Sequence, residues 1–141
     1  MNPRKKSREA SLQILFQKSF SPDSTSQELF DAFRGSFELD PEVAKRAVVL
    51  TRGVESHENK ILPLIDQYSK NWRLDRIALT DLIILKLAIF ELCFDQDDDT
   101  PPKMCISDYL DVAKKYSSQD AKKFINGILD EIYHHHLGAV Q

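Results

Sequence analysis

Four cations stand at the beginning of the chain before its first acid, Glu9. They are Arg4, Lys5, Lys6 and Arg8. Because the whole chain has a formal net charge of −3, this basic arm at residues 1–8 is a local feature. It fits a disordered tail, a solvated helix start or a surface for an anion. If a helix begins in the arm, Gln13 and Phe16 lie close to the cations. A hydrogen-bonding group and a ring among cations suit single-stranded nucleic acid.

A second basic group surrounds a predicted turn at residues 114–124. Its cations are Lys114, Lys115, Lys122 and Lys123. Ser118 is a good N-cap for a following helix, and a helix N-terminus attracts phosphate through its free amides and its dipole. Tyr116 offers a ring, and Asn126 is a polar side chain near Lys123 on the helical wheel. The residues alone leave both interpretations open: lysines solvated at helix ends around core aromatics, or a surface for RNA.

Patterns typical of enzymes and metal sites do not occur in the sequence. It contains no GxGxxG, P-loop or GxSxG motif. The histidines of residues 134–136 are consecutive, whereas helical metal ligands are spaced i and i+4. The aspartates of residues 95–99 lack the glycine and final glutamate of a calcium loop. Cys93 and Cys105 form no CxxC, so we predict two reduced, buried thiols. We therefore expect no catalytic residue, no metal and no cofactor.

The elements that must position these groups are predicted to be helices throughout a single domain, residues 1–141. The predicted helices begin near Arg4 or Ser7, near Gln27, after Asp40–Pro41, near Asn59, after Asp75, after Ser107 and after Ser118. The fifth, residues 76–94, is apolar almost all round, which predicts the central helix. Asp81, Lys86 and Glu91 interrupt it, and a membrane span needs about 20 mainly apolar residues, so we expect no membrane insertion.

Three stretches of the sequence carry recognisable motifs that occur in a characteristic order. They are SREASLQILFQ at 7–17, NWRLDRIALTDLIILKLAIFEL at 71–92 and ISDYLDVAKKYSSQDAKKFINGILDEI at 106–132. In these motifs the chain resembles the NusB family of bacterial transcription antitermination factors, and the unbroken run from Lys123 to Asp130 is the most specific part. The resemblance implies an all-α fold of about seven helices in two three-helix subbundles, without catalysis.

The resemblance also implies a function and a set of partners. Family members are RNA-binding adaptors that pair with NusE, which is also a small-subunit ribosomal protein. The pair binds the boxA element of nascent single-stranded RNA and joins the RNA polymerase antitermination complex. It thereby suppresses premature termination, notably in ribosomal RNA operons. A bacterial cytoplasmic location follows, and some members dimerise, so monomer and homodimer both stay open.

Matching positions carry the family's site residues onto this sequence. The implied RNA-binding residues are Arg4, Lys5, Lys6, Arg8, Gln13, Phe16, Lys103, Tyr116, Asp120, Lys123, Phe124 and Asn126. The NusE-facing surface lies around the fifth helix, where Asp81 is the matching acid. On this basis, substituting glutamate for Arg8 or Lys123 should weaken RNA binding and leave helix content intact.

The chain departs from the family pattern at several positions. Lys86 replaces an arginine, which keeps the charge but loses the bidentate fork. Tyr109 replaces a small residue, Ser117 a glycine and Ala121 a common serine. A helical protein-binding module of the same fold without RNA binding is therefore the alternative. Some enzymes that methylate ribosomal RNA carry a similar noncatalytic domain, but with 141 residues we expect no methyltransferase domain here.

Overall fold

The structure is a computed structural model that describes residues 3–21, 23, 28, 40–70, 73–95 and 100–137. This part of the chain forms five α-helices and no strand, which confirms the all-α class. The helices are α1 (Pro3–Phe20), α2 (Pro41–Tyr68), α3 (Leu79–Ile89), α4 (Pro102–Tyr116) and α5 (Gln119–Ile132). A 3-10 turn at Leu74–Arg76 precedes α3, and π-helical turns at Phe90–Phe94 and Tyr133–Leu137 extend α3 and α5. The predicted short helix at 27–37 lies outside the described residues.

The third and fourth predicted helices are one helix, α2, so the predicted break between them is wrong. Pro63 lies inside α2. A proline in a helix interior removes one backbone hydrogen bond and tends to bend the helix. The apolar stripe nevertheless continues past this point, because Val54, Ile61 and Ile65 are all buried. Packing of that continuous stripe outweighs the local cost of Pro63, whose ring is exposed.

Two of the predicted helix starts are confirmed by their capping hydrogen bonds. The Asp40 side chain accepts from the backbone N–H of Glu42 at 2.8 Å, and Pro41 occupies the first turn. The Ser118 hydroxyl oxygen accepts from the backbone N–H of Ala121 at 3.1 Å. Both caps satisfy amides that a helix N-terminus otherwise leaves unbonded, so α2 and α5 begin where the sequence indicates.

Two other predicted starts are wrong. Asp75 belongs to the 3-10 turn, and α3 begins only at Leu79, without a side-chain cap. Ser107 is an exposed interior position of α4, which begins at Pro102. Proline is favoured in the first helical turn because a backbone N–H there would have no partner within the helix. Pro102 therefore explains why α4 begins earlier than the start predicted from Ser107.

The apolar helix α3 is the centre of the bundle, as predicted. It packs against α1, α2, α4 and α5, and α1 lies against α2 while α4 lies against α5. Six of its residues are buried: Ile83, Ile84, Leu85, Leu87, Ala88 and Ile89. Both cysteines are free, but only Cys105 is buried, since Cys93 keeps partial exposure. No helix among the described residues is long and apolar enough to cross a membrane.

Candidate nucleic-acid interface

Arg8 lies inside the protein and not on the surface of the basic arm. Only 1% of it is exposed. Its Nε and Nη2 atoms donate to the two carboxylate oxygens of Glu91 at 2.8 and 3.0 Å, and Nη1 donates to Asp108 at 2.9 Å. A guanidinium that is enclosed and bonded in this way cannot reach an RNA phosphate. This corrects the assignment of Arg8 to the RNA surface.

Glu91 is the centre of this buried ionic cluster, which we define as Arg8, Arg46, Glu91, Asp108 and Tyr109. Glu91 also accepts from Arg46 at 3.1 Å and from the Tyr109 hydroxyl. Burial raises the pKa of Tyr109 well above its ordinary value, and the adjacent Glu91 carboxylate raises it further. Burial alone would lower the pKa of Arg8, but its hydrogen bond to Glu91 and the neighbouring acidic groups reverse the direction, so that the pKa is raised.

The buried ionic cluster had one signal in the sequence. Glu91 is an acid within an otherwise apolar helical run, and a buried charge is tolerated only when it is paired. The sequence indicated neither its partners nor the role of Tyr109, which was considered only as a bulky departure. The Tyr109 ring lies 5.1 Å from the Arg8 guanidinium carbon. Within the described part of the chain, every buried side-chain nitrogen and oxygen has a hydrogen-bond partner.

The remaining candidates on α1 keep some exposure. Lys6 and Phe16 are exposed, whereas Lys5 and Gln13 are half-buried. The helical repeat places Lys5 and Phe16 on the same face, and Lys6 and Gln13 on the next one. The fifth candidate, Arg4, is half-buried and donates to the Thr100 hydroxyl before α4. The outer side of α1 therefore presents two lysines, a glutamine and a ring.

The turn between α4 and α5 is joined to α1 by an ion pair. Lys115 Nζ lies 3.1 Å from a carboxylate oxygen of Glu9 and 5.3 Å from the ring centre of Tyr116. The hydrogen bond to Glu9 raises the pKa of Lys115. This contact brings the two basic groups of the sequence beside each other. On the same turn and the start of α5, three candidates are exposed, Asp120, Lys123 and Asn126, and two are half-buried, Tyr116 and Phe124.

Lys123 and Phe124 also line an open groove of about 280 Å³ that faces the end of α2. The opposite wall is formed by Tyr68, Ser69 and Lys70. These three residues were missed in the sequence, because they precede Lys123 by more than fifty positions and match no motif. Only tertiary packing brings the end of α2 beside the start of α5.

Lys103 lies apart from the candidates at the start of α5. It is in the first turn of α4, where its Nζ lies 5.9 Å from the ring centre of Tyr133. Tyr133 follows the end of α5, whereas Lys123 is near its start, and ten residues of helix span about 15 Å. An RNA that contacts both lysines must therefore run along the helix pair.

Asp81, the candidate for NusE contact, is half-buried at the beginning of α3. Its carboxylate accepts from the hydroxyl of Ser117, the residue that ends α4. The family glycine that Ser117 replaces could not make this bond. At Lys86, the ammonium lies 2.8 Å from Glu58, so the lysine still forms an ion pair in place of the family arginine.

Two of the consecutive histidines pair with acids one helical turn earlier in the chain. His134 pairs with Asp130 at 3.3 Å and His135 with Glu131 at 2.9 Å. No cluster of three metal-ligating side chains occurs within residues 3–21, 40–70, 73–95 and 100–135. The side chain of residue 136 and the aspartates at 97–99 lie outside the described part.

Comparison with known proteins decides between the interpretations of this helical bundle. The NusB family model matches residues 5–134. The chain belongs to the NusB family. The transcription antitermination protein NusB of Bdellovibrio bacteriovorus is 35% identical over 132 residues, covering 94% of this chain and 96% of the relative. The protein of the same description from Myxococcus xanthus is 36% identical over 135 residues, covering 94% and 95%.

Solved structures share the fold of this NusB family member. NusB of T. maritima superposes with a TM-score of 0.83 and is 32% identical, covering 96% of this chain and 94% of its own. A crystal structure of antitermination factors NusB and NusE in complex with double-stranded RNA gives a TM-score of 0.84 at 25% identity, covering 96% and 99%. The resemblance seen in the sequence motifs is thus confirmed over nearly the whole chain.

Proposed function

We propose that this chain is an RNA-binding transcription antitermination protein of the bacterial cytoplasm. It pairs with NusE, binds boxA-type single-stranded RNA in nascent transcripts and joins the RNA polymerase antitermination complex to suppress premature termination, notably in ribosomal RNA operons. The observation that carries the proposal is the nearly full-length match, in sequence and fold, to antitermination proteins, one of which has been solved with NusE and double-stranded RNA. Its role is recognition, without catalysis.

The proposed RNA surface runs from the outer side of α1 across the α4–α5 turn to α5. It consists of Arg4, Lys5, Lys6, Gln13, Phe16, Lys103, Tyr116, Asp120, Lys123, Phe124 and Asn126. Among the described residues, Lys6 and Lys123 are exposed and form no ion pair, so their charges are available to phosphates. Phosphate contacts supply most of the affinity but no sequence preference. Sequence preference comes from the aromatic rings and from the amide groups of Gln13 and Asn126.

The NusE surface is proposed to lie around α3, with Asp81 as its acidic contact. The hydrogen bond from Ser117 ties Asp81 to the α4–α5 turn, which also carries Tyr116 of the RNA surface. A partner that contacts Asp81 therefore lies beside the turn that contacts RNA. This proximity gives a physical route by which NusE strengthens RNA binding.

The test is fluorescence anisotropy with a boxA-type RNA and a scrambled RNA of the same composition, with and without NusE, over a range of salt concentrations. We expect preference for boxA and a higher affinity with NusE. The slope of log affinity against log salt concentration should correspond to several phosphate contacts, at about −0.7 per phosphate. Unlabelled double-stranded RNA as competitor shows whether the single strand is the preferred form. Binding of NusE with no preference for boxA in either condition would identify a helical protein-binding module and contradict the proposal.

A further inference from the structure

Gly127 lies in the interior of α5 without a packing reason in the described part of the chain. A Cβ atom added there would meet no atom within 4 Å, and the residue does not have a positive φ. At Gly53, by contrast, the same atom would lie 2.1 Å from the Phe90 ring. Glycine inside a helix is less stabilising than alanine. Close packing explains Gly53, whereas no packing contact among the described residues explains Gly127, so a reason must be sought in the open space beside it.

The groove between α2 and α5 gives such a reason. Gly127 lines it together with Lys123 and Phe124, opposite Tyr68 and Lys70. At about 280 Å³ it is slightly smaller than the roughly 300–1,000 Å³ typical of pockets for whole small ligands. Its size and open side fit one unit of a polymer. Because glycine has no side chain, such a unit can approach the helix backbone at Gly127 more closely than it could at any other residue type.

The groove is lined by two lysines and one acid, Glu131, together with aromatic surface, so its net charge is positive. The Lys70 side chain is 69% exposed, and its Nζ is 4.0 Å from Glu131, at the outer limit of an ion pair. Lys123 is exposed and has no acidic partner among the described residues. The ring of Phe124, one turn before Gly127, provides an apolar face. An anion attached to a flat ring matches these features, and a nucleotide has both parts.

Lys70 holds an unusual backbone conformation at the edge of the groove. Its φ is 30°, the one positive value at a non-glycine residue in the described chain. It directly follows Ser69, the C-cap of α2, and a residue in the left-handed region at that position is a common way for a helix to end. The conformation therefore has a local cause, and only the charge of Lys70 points to a ligand.

We propose that this groove holds one nucleotide of the bound single-stranded RNA, with its phosphate at Lys70 and Lys123 and its base against Phe124 over the backbone of Gly127. The inference rests on the proposed function, because RNA is the ligand. It adds Tyr68, Lys70 and Gly127 to the RNA surface. The groove is continuous with that surface through Lys123 and Phe124. The two lysines favour an anionic partner over an apolar one, and the Phe124 ring favours a nucleotide among anions.

The decisive variant is Gly127→Ala in the full chain. Because a Cβ meets nothing there, alanine should raise the melting temperature by about 2–5 °C. The same methyl group would keep the base off the backbone, so affinity for boxA RNA should fall at least about fivefold. The matched control is Ser56→Ala, an exposed position inside α2 away from the groove, which should leave RNA affinity unchanged. A more stable Gly127→Ala protein that binds RNA as tightly as the parent overturns the inference.

A second variant, Lys70→Asn, tests the charge independently of the helix. Asparagine tolerates positive φ, so the fold should be kept. The salt slope for RNA binding should become shallower by about 0.7, the value for one phosphate on a single strand. An unchanged slope contradicts the phosphate position and, with it, the proposed nucleotide.

The parent protein separates failure of this inference from failure of the proposed function. If the parent binds boxA RNA but both variants bind equally well, only the groove assignment is wrong. If the parent shows no RNA preference with or without NusE, both proposals fall. If Gly127→Ala weakens binding of NusE in the absence of RNA and leaves RNA binding alone intact, the groove belongs to the protein partner and the inference is overturned.

Discussion

Arg8 and Lys123 show how differently two cations of similar sequence context are used. Both occur in lysine- and arginine-rich stretches, and for both the sequence resemblance implied a role in RNA binding. Arg8 is 1% exposed and holds Glu91 and Asp108, whereas Lys123 is exposed at the start of α5. The first charge therefore acts within the fold, and the second is available to a ligand. Charge in a sequence indicates a binding surface only where the side chain reaches solvent.

The surroundings of Arg8 and Lys123 also differ in how much folding stability is lost when the charge is removed. Removing one member of a buried ion pair leaves its partner desolvated without compensation, which costs about 3–5 kcal/mol. An exposed lysine contributes within about 0.5 kcal/mol to stability. The buried ionic cluster around Glu91 joins α1 to α3 and α4, so it also fixes the helix that carries the remaining basic arm.

Among variants that are expected to stay folded, the largest effect on stability should be that of Arg8→Met. The substitution removes the two hydrogen bonds that Glu91 accepts from the Arg8 guanidinium. Glu91 keeps its hydrogen bonds with Arg46 and Tyr109. We expect a loss of about 3 kcal/mol or more in the free energy of unfolding, measured by urea denaturation. The matched control is Lys6→Met on the exposed side of α1, for which we expect less than about 0.5 kcal/mol. Equal, small losses in both variants would mean that the cluster does not stabilise the fold.

The same geometry changes the expected result of Arg8→Glu. The sequence alone predicted weaker RNA binding with intact helix content. In the structure this substitution places a third carboxylate beside Glu91 and Asp108 in a buried site. We therefore expect loss of helical circular dichroism before any specific effect on RNA can be measured.

The next effect is that of Tyr109→Phe, which removes only the hydroxyl group that donates to Glu91. The ring is fully buried and keeps its packing and its contact with the Arg8 guanidinium. A hydrogen bond to a buried charged acceptor contributes about 1.5–3 kcal/mol. We expect a loss of that size in urea denaturation at pH 7. A variant as stable as the parent would show that Glu91 is satisfied by its two arginines alone.

At alkaline pH, the parent and Tyr109→Phe should differ less in their free energy of unfolding than they do at pH 7. The pKa of Tyr109 is raised in the folded protein above the ordinary value of 10.0, chiefly by burial. Below pH 10, Tyr109 keeps its proton in both the folded and the unfolded protein, so its hydroxyl group makes its full contribution to stability. Above pH 10 the unfolded chain loses the proton while the folded protein retains it, so the parent loses stability relative to the variant. The difference in free energy of unfolding should therefore be smaller at pH 11 than at pH 8. A constant difference from pH 8 to 11 would contradict a raised pKa.

The sequence predicted the features that depend on local pattern. The apolar helix α3 is central, and Asp40 and Ser118 are helix caps, because periodicity and capping involve residues within a few positions. The expected helix start near Asn59 shows the limit of local rules, since α2 runs through Asn59 and Pro63 without a break. The buried stripe on both sides of this point keeps the two segments in one helix, and local start signals do not include that packing.

The candidate site was predictable only as far as its surface residues. A helical wheel placed Arg4, Lys5 and Arg8 in one sector, but it could not show that Glu91, 83 positions later, lies opposite Arg8. The groove wall at Tyr68 and Lys70 has the same origin in long-range packing. Both features arise where helices far apart in sequence meet, and a single sequence contains no direct signal of that meeting.

The smallest effect on stability, and the clearest effect on function, should come from Lys123→Gln. The side chain is exposed at the start of α5, so we expect less than about 0.5 kcal/mol in urea denaturation. Loss of one phosphate contact should lower affinity for boxA and scrambled RNA by similar factors and make the salt slope shallower by about 0.7. Lys45→Gln, an exposed lysine on α2, serves as the charge-matched control with an unchanged slope. If both lysines change the slope equally, RNA responds to overall charge alone, and the distinction between a cation inside the fold and a cation that binds RNA would rest only on Arg8.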